Sequence, residues 1–218
     1  RNEVLRLMLP ASGRPVRETP NRKFARATPA QALNDPTWNM GPQITIDSAT
    51  LFNKGLEMIE AHWLFGVEMR RVEVVIHPQS IVHSMVEFAD GSVLAQLSQS
   101  DMCFPIQYAV TWPDRVPNSL RPLDFGKLRQ LDFATPRYAD FPALNLARRA
   151  GETGGTFPSV LNAANEVAVE DFIEGQIAVT RNWQLVEYWM TPHPPCVDPA
   201  HPRIFGAGPH ARADGGEH

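Results

Sequence analysis

The sequence predicts an α+β fold, in which a mostly antiparallel sheet is flanked by helices and is followed by a connector and a helical part. Two observations favour this fold. Asp90-Gly91 separates two apolar-rich runs, and this dipeptide is a strong hairpin signal because both residues tolerate positive φ. The run from Val160 to Glu174 is rich in Ala and Glu and stops before Gly175, which is typical of a helix and its end.

The composition is that of a soluble globular protein, because 43% of the residues are hydrophobic and 20% are charged. The net charge of -4 gives no electrostatic basis for binding nucleic acid or an anionic membrane. No apolar run reaches the roughly 18 residues of a membrane-spanning helix. Cys103 and Cys196 lie far apart in the sequence, so we expect two unpaired thiols in a reducing compartment.

The first third of the chain is expected to hold little regular structure before one helix. Residues 1–43 show little periodicity and are predicted to be a long loop with a short helix near Pro29 to Leu33. Ile44-Thr45-Ile46 alternates as a short strand, and Ser48 or Thr50 is predicted to cap the following helix. Gly66 is expected to end it. The apolar residues expected on one face of this helix are Leu51, Leu56, Ile59, Trp63 and Leu64.

Strands and then helices are predicted for the rest of the chain. Val72–Ile76 has the pattern of a buried strand, and two more strands should flank the Asp90-Gly91 turn. Prolines recur between residues 111 and 142, which indicates a connector on the surface. Residues 142–190 are predicted to be helical, with Ser159 capping a helix that starts at Val160.

The most informative polar residues surround the start of the first predicted long helix. Exposed N–H groups and the helix dipole favour an anion there. Ser48, Asn53 and Lys54 would add hydroxyl, amide and ammonium donors, which suit phosphate oxygens. Glu57 lies three residues after Lys54, so its carboxylate would face the same site and could share a divalent cation with the anion. The same spacing also fits an amphipathic helix with a solvated Lys-Glu pair.

Other candidate residues leave two interpretations open. His77 and His83 are either hydrogen-bonded structural residues near a strand end or members of a site. Ser12 lies in a small-residue loop where its hydroxyl could bind a ligand oxygen. Trp38 and Met40 either pack on the core or form a lid over a ligand. The sequence contains neither a glycine-rich dinucleotide-binding motif nor a P-loop.

Nine short runs appear in one order along the chain: Ser12 to Pro20, Trp38 to Gly41, Ile46 to Glu57, Glu60 to Phe65, His77 to Ser84, Asp90 to Leu97, Pro105 to Tyr108, Leu123 to Phe125, and Leu161 to Val169. Together they resemble the 1-deoxy-D-xylulose 5-phosphate reductoisomerase family. The similarity covers about residues 8–190. The ordered set is specific, whereas each run alone would be modest evidence.

The resemblance implies a protein of three parts, of which this chain carries two. An N-terminal domain would bind NADPH and supply two acidic metal ligands, and it would be missing here. A catalytic domain would hold the substrate and the metal and form a homodimer, and a C-terminal helical bundle would support it. The implied division is a catalytic domain at 1–111 with a lid loop at 12–42, a connector at 112–141, a truncated helical domain at 142–190 and a disordered tail at 191–218.

The resemblance also implies roles for individual residues. Those implied to bind the substrate are Ser12, Ser48, Asn53, Lys54, Glu57, Trp38 and Met40. Catalytic roles fall on Lys54, Glu57 and His83, cofactor contacts fall on Met40 and Gly41, and the metal ligand is Glu57. Two positions depart from the family pattern, since Asp35 replaces a histidine of the lid and Arg14 replaces a glycine. A carboxylate at Asp35 would repel a bound phosphate.

The implied reaction is the NADPH-dependent reductive isomerisation of 1-deoxy-D-xylulose 5-phosphate to 2-C-methyl-D-erythritol 4-phosphate, in the non-mevalonate route to isoprenoids. Mn2+, Mg2+ or Co2+ would act as the Lewis acid. The partners implied are the phosphosugar and a second copy of the chain, in the bacterial cytoplasm or the plastid stroma. The isolated chain is expected to be inactive. Alternatives are a non-catalytic fragment or pseudoenzyme that keeps the fold and dimer surface, and a free-standing phosphosugar-binding module.

Overall fold

The computed structural model describes residues 3–12, 27–33 and 41–193. The strands in these ranges are β1 (Val4–Ala11), β2 (Val72–Ile76), β3 (Val82–Phe88) and β4 (Val93–Leu97). The helices are α1 (Pro29–Ala32), α2 (Pro42–Thr50), α3 (Phe52–Phe65), α4 (Cys103–Thr111), α5 (Phe125–Leu128), α6 (Ala143–Thr153), α7 (Phe157–Ile173) and α8 (Arg181–Met190). A 3₁₀ turn at Met69–Arg71 leads into β2. No helix in the described ranges is both long and apolar enough to span a bilayer.

The four strands form one sheet in the order β2-β1-β3-β4. β1 runs parallel to β2 and antiparallel to β3, and β3 and β4 form an antiparallel hairpin. Gly91 lies in the turn of this hairpin with φ +83°, a conformation that glycine adopts at little cost. The predicted α+β fold, the mostly antiparallel sheet and the Asp90-Gly91 hairpin are therefore confirmed.

Strand β1 was missed by the sequence analysis, which predicted a long loop over residues 1–43. The strand lies inside the sheet, between β2 and β3. Arg6 interrupts its apolar run, and this charge obscured the pattern of a central strand. The guanidinium is accommodated because Glu73 accepts from it at 2.7 Å and Glu87 also pairs with it. The short helix predicted near Pro29 is present as α1, with Thr28 as its cap.

The predicted strand at Ile44-Thr45-Ile46 is wrong, because these residues belong to helix α2. Pro42 occupies the first turn, where its fixed φ favours a helix and its missing N–H costs nothing. Thr45 and Ile46 are buried, so packing determines the conformation more than the three-residue alternation does.

A left-handed residue, Leu51 with φ 64°, separates α2 from α3. The prediction that Ser48 or Thr50 caps the second helix is therefore wrong, and the Thr50 hydroxyl instead donates to the carbonyl of Ile46 at 2.9 Å. α3 ends at Gly66 in the left-handed conformation, as predicted. The predicted apolar face is only partly buried, since Trp63 is 63% and Leu64 is 77% exposed.

Helices α6, α7 and α8, which we call the helical part, pack on one another, and α6 and α7 also pack against α2 and α3. One continuous core joins the two regions and includes Ile46, Phe52, Leu144, Leu161 and Phe172. The prediction that Ser159 caps a helix is wrong, because α7 already begins at Phe157 with Thr156 at its N-cap. Gly175 follows the end of α7 with φ 77°, as expected. The predicted tail lies outside the described residues from 194 onward.

Candidate functional site

The junction between α2 and α3 carries most of the predicted site residues. Ser48 lies in the last turn of α2, and Asn53 and Lys54 lie in the first turn of α3. The predicted approach by a strand is corrected to an approach by a helix, with the chain turning at Leu51. The start of α3 still presents the positive end of a helix dipole beside these side chains.

Glu57 gathers the polar side chains of this junction. One carboxylate oxygen accepts from the Asn53 amide at 2.8 Å, and the other accepts from the Lys54 ammonium at 2.5 Å. The Lys54 side chain is only 13% exposed and that of Glu57 is 36% exposed. The Lys-Glu pair considered from the sequence is present, with a largely shielded ammonium and a partly exposed carboxylate, so water and salt weaken it less than a fully solvated pair.

The two predicted serines are both half-buried and lie on different elements. Ser48 is half-buried and precedes the turn at Leu51 by three residues. Ser12 is half-buried directly after β1, where the neighbouring Ala11 carbonyl accepts from the His77 N–H at 2.7 Å. The contacts within the site are thus explicit for Asn53, Lys54 and Glu57, while the two serines are placed by their elements.

His83 on β3 is half-buried, and its Nε2 lies 3.3 Å from the Ser98 carbonyl oxygen. Burial lowers the pKa of His83, and the positive charge of Lys54 is among the smaller causes in the same direction. Hydrogen bonds to the carbonyls of Ser98 and Gln99 partly oppose this shift of the pKa. The described hydrogen bond of His83 is therefore to the backbone that follows β4.

His77 is a hydrogen-bonded structural residue, the first of the two interpretations left open by the sequence. Its ring is fully buried, its Nδ1 lies 2.8 Å from the Asp132 carbonyl oxygen, and its Nε2 accepts from the Ile81 N–H at 3.1 Å. The ring also stacks on Phe133 with centroids 4.7 Å apart. Both nitrogens are used inside the protein, so His77 holds the end of β2 against the connector.

Asp47 was not singled out from the sequence, although it is the most deeply buried acid near the junction. It is 6% exposed and accepts from Asn165 at 2.7 Å and from Gln43 at 2.9 Å. Burial raises the pKa of Asp47, and the nearby Glu166 carboxylate also raises it, while the two amide hydrogen bonds oppose the shift. The only local signal was an acid directly after the apolar Ile46, and nothing local pointed to Asn165.

Several predicted site residues lie outside the described residues, namely Arg14, Asp35, Trp38 and Met40. Their roles in a lid or at a cofactor stay predictions. Gly41 is described as the exposed N-cap of α2, and a Cβ added there would meet no atom within 4 Å. The described structure therefore gives no steric reason for a glycine at this position.

The described residues do not by themselves fit a divalent metal ion. They contain no group of three or more His, Cys, Asp or Glu side chains that could hold one. Mg²⁺ takes about six oxygen ligands, of which protein carboxylates usually supply one or two and water or substrate the rest. Glu57 offers a single carboxylate, and both of its oxygens already accept hydrogen bonds.

The mixed sheet, the helix junction and the helical part together define a class, an α+β protein with a polar cluster where two helices meet. Two family models match the sequence. The first, DXP reductoisomerase C-terminal domain, covers residues 97–213, and the second, 1-deoxy-D-xylulose 5-phosphate reductoisomerase C-terminal domain, covers residues 1–65. The chain belongs to the 1-deoxy-D-xylulose 5-phosphate reductoisomerase family, which confirms the predicted resemblance.

Individual relatives agree. The 1-deoxy-D-xylulose 5-phosphate reductoisomerase of Moorella thermoacetica is 49% identical over 213 residues, which are 98% of this chain and 55% of the relative. The Zymomonas mobilis enzyme, solved in complex with NADPH, superposes with a TM-score of 0.89 at 41% identity and is matched over 54% of its length. A reductoisomerase solved with NADPH, fosmidomycin and magnesium gives a TM-score of 0.89 at 36% identity, and 54% of it is matched by 98% of this chain. The chain thus spans about half the length of the relatives it matches.

Proposed function

We propose that this chain forms the substrate-binding and C-terminal parts of an enzyme that converts 1-deoxy-D-xylulose 5-phosphate to 2-C-methyl-D-erythritol 4-phosphate with NADPH. The observation that carries the proposal is the hydrogen-bonded cluster of Asn53, Lys54 and Glu57 at the start of α3, in which the Lys54 side chain is largely shielded from water. Family membership supports the same reaction, because the relatives carry the name of that activity.

Ser12, Ser48, Asn53 and Lys54 bind the phosphate of the substrate in this proposal. An ammonium and an amide in the first turn of a helix supply charge-assisted hydrogen bonds to an oxyanion, and the helix dipole adds to them. The 13% exposure of the Lys54 side chain supports it, since attraction to an anion is stronger where little water screens it. Holding the distant phosphate would orient the reacting end of the sugar.

Glu57 is the one metal ligand and, with Lys54, a catalytic residue in this proposal, and His83 supports the site with its half-buried imidazole. The ion would be Mg2+, Mn2+ or Co2+, and its other carboxylate ligands would come from outside the described residues. The neighbouring structures solved with NADPH and with magnesium support these cofactors. Trp38 and Met40 would close over the substrate, and Met40 and Gly41 would contact NADPH.

A homodimer formed through the sheet and helix α4 is the proposed assembly. No residue of α4 is buried, and Ile106 and Val110 are 56% and 81% exposed. On the edge strand β4, Val93 and Leu94 are 47% and 66% exposed. Apolar surface of this kind on neighbouring stretches of the chain is typical of a buried interface. A location in the bacterial cytoplasm or the plastid stroma stays a prediction.

A chimera tests the proposed reaction directly. The part of the Moorella thermoacetica relative that this chain does not match would be joined to residues 1–218, and NADPH oxidation would be followed with the phosphosugar and Mn2+. We expect turnover by the chimera and none by the isolated chain. Lys54→Ala should reduce kcat/KM by about a hundredfold or more, because a charged contact to the substrate is lost. Lys127→Ala is the control, since Lys127 is 88% exposed in a surface pair with Asp124.

Two results would count against the proposal. A folded chimera without turnover would favour a pseudoenzyme that keeps only the fold and dimer surface. Equal activity of the Lys54→Ala and unmodified chimeras would remove Lys54 from the site. Turnover by residues 1–218 alone would instead contradict the expectation that this chain is incomplete as a catalyst.

A further inference from the structure

Two contacts from the helical part hold the α2–α3 junction from both sides. On one side, Asn165 of α7 donates to the Asp47 carboxylate at 2.7 Å, across 118 positions of sequence. On the other side, Gly55 of α3 lies so close to α6 that an added Cβ would be 2.7 Å from the Ala147 Cβ. Of the residues proposed above to bind phosphate, all except Ser12 lie between Asp47 and Gly55 in the sequence.

The hydrogen bond between Asp47 and Asn165 is costly to lose because both side chains are buried. Asn165 is fully buried, and Asp47 is 6% exposed. Removing the amide would leave the Asp47 carboxylate with Gln43 as its only remaining side-chain donor in the described contacts, and a buried carboxylate that loses a donor must move or take up a proton. Asp47 immediately precedes Ser48, so such a movement is transmitted to the last turn of α2.

We infer that Asn165 is a positioning residue, through which the helical part sets the geometry of the α2–α3 junction and of Ser48, Asn53 and Lys54. The effect of Asn165 on phosphate binding rests on the proposed function. Its structural part, that α7 holds the junction in place through Asp47, stands on the buried hydrogen bond itself.

Hydrogen exchange of the ligand-free chain tests the structural part. In Asn165→Ala we expect the backbone amides of residues 48–54 to exchange about fivefold faster or more than in the unmodified chain. The reciprocal variant Asp47→Asn/Asn165→Asp again places one amide opposite one carboxylate, and it should return these rates to within about twofold of the unmodified chain. The control is Val169→Ala, which removes buried methyl groups from the same helix without touching Asp47.

Affinity for inorganic phosphate, measured on the same proteins by calorimetry, tests the functional part. Asn165→Ala should weaken phosphate binding by about fivefold or more, with recovery in the reciprocal variant and little change in Val169→Ala. A role in stability alone would lower the melting temperature of both single variants and leave affinity unchanged in both.

The outcomes separate this inference from the proposed function. Unchanged exchange at residues 48–54 in Asn165→Ala, or an equal increase in Val169→Ala, overturns the inference whether or not phosphate binds. Faster exchange at residues 48–54 in Asn165→Ala but not in Val169→Ala, with normal rates in the reciprocal variant, supports the inference. If the unmodified chain then binds no phosphate, the proposed site fails while the positioning of the junction stands.

Discussion

His83 links the stability of the protein to pH at the level of a single residue. Its folded-state pKa is lowered from the ordinary value of 6.5, with burial as the main cause. The folded protein therefore binds fewer protons than the unfolded chain just below pH 6.5. Stability from this group is fully present above the unfolded pKa and is lost as the pH falls through the lowered folded pKa.

We expect His83→Gln to reduce the pH dependence of the free energy of unfolding below pH 6.5, the ordinary pKa of the imidazole. Urea unfolding at several pH values, compared between the variant and the unmodified protein, measures this difference. The unmodified protein should lose more stability on acidification than the variant does. Parallel curves for the two proteins would show that His83 does not titrate differently in the folded state.

The part of the polar cluster that lies on a single helix was predictable from the spacing of its residues. Asn53, Lys54 and Glu57 are separated by three and four positions, and helix geometry alone brings such side chains together. Asp47 and Asn165 meet across 118 positions, and no local pattern specifies that pairing. The roles assigned to the cluster depend on ligands, so they stay proposals although the contacts are present.

The β3–β4 hairpin offers a clean test of backbone conformation at the level of an element. Gly91 has φ +83°, and an added Cβ would meet no atom within 4 Å there. Gly91→Ala should lower the free energy of unfolding by about 1 kcal/mol, because alanine resists the left-handed conformation. Gly91→Asn is the control at the same position and should cost less than about 0.5 kcal/mol, because asparagine tolerates that conformation better.

Chemical denaturation of the two Gly91 variants measures this difference. An alanine variant as stable as the unmodified protein would mean that the hairpin turn adapts to alanine without strain. A loss in Gly91→Asn as large as that in Gly91→Ala would instead point to a requirement for glycine that is unrelated to its φ.

The elements that the sequence analysis missed share a physical cause. β1 lies inside the sheet, and its Arg6 is compensated by Glu73 and Glu87, which belong to neighbouring strands. α2 was mistaken for a strand because Ile44-Thr45-Ile46 alternates over only three residues. In both cases contacts distant in sequence override a short local pattern. The β3–β4 hairpin and the end of α3 were predictable because a glycine with positive φ marks each.

Assembly is the prediction that belongs to the whole molecule. If α4 and β4 form the dimer interface, a charge at Ile106 should disrupt it, because burying an unpaired carboxylate is costly. We expect the unmodified chain to be a dimer and Ile106→Glu to be a monomer in sedimentation velocity experiments. Tyr188→Glu is the control, since Tyr188 is 59% exposed on α8 in the helical part.

A dimeric Ile106→Glu variant would place the interface elsewhere. A monomeric unmodified chain at tens of micromolar would contradict the proposed assembly for residues 1–218. Either outcome leaves the fold and the junction cluster as described, because both lie within one protomer.

The proposed function depends most on the binding of a phosphorylated ligand at the α2–α3 junction through Lys54. Calorimetric titration with inorganic phosphate tests it on the unmodified chain, on Lys54→Ala and on Lys127→Ala. We expect binding by the unmodified chain and by Lys127→Ala, with affinity reduced about tenfold or more in Lys54→Ala. Equal affinity in all three proteins, or no binding by the unmodified chain, would contradict it.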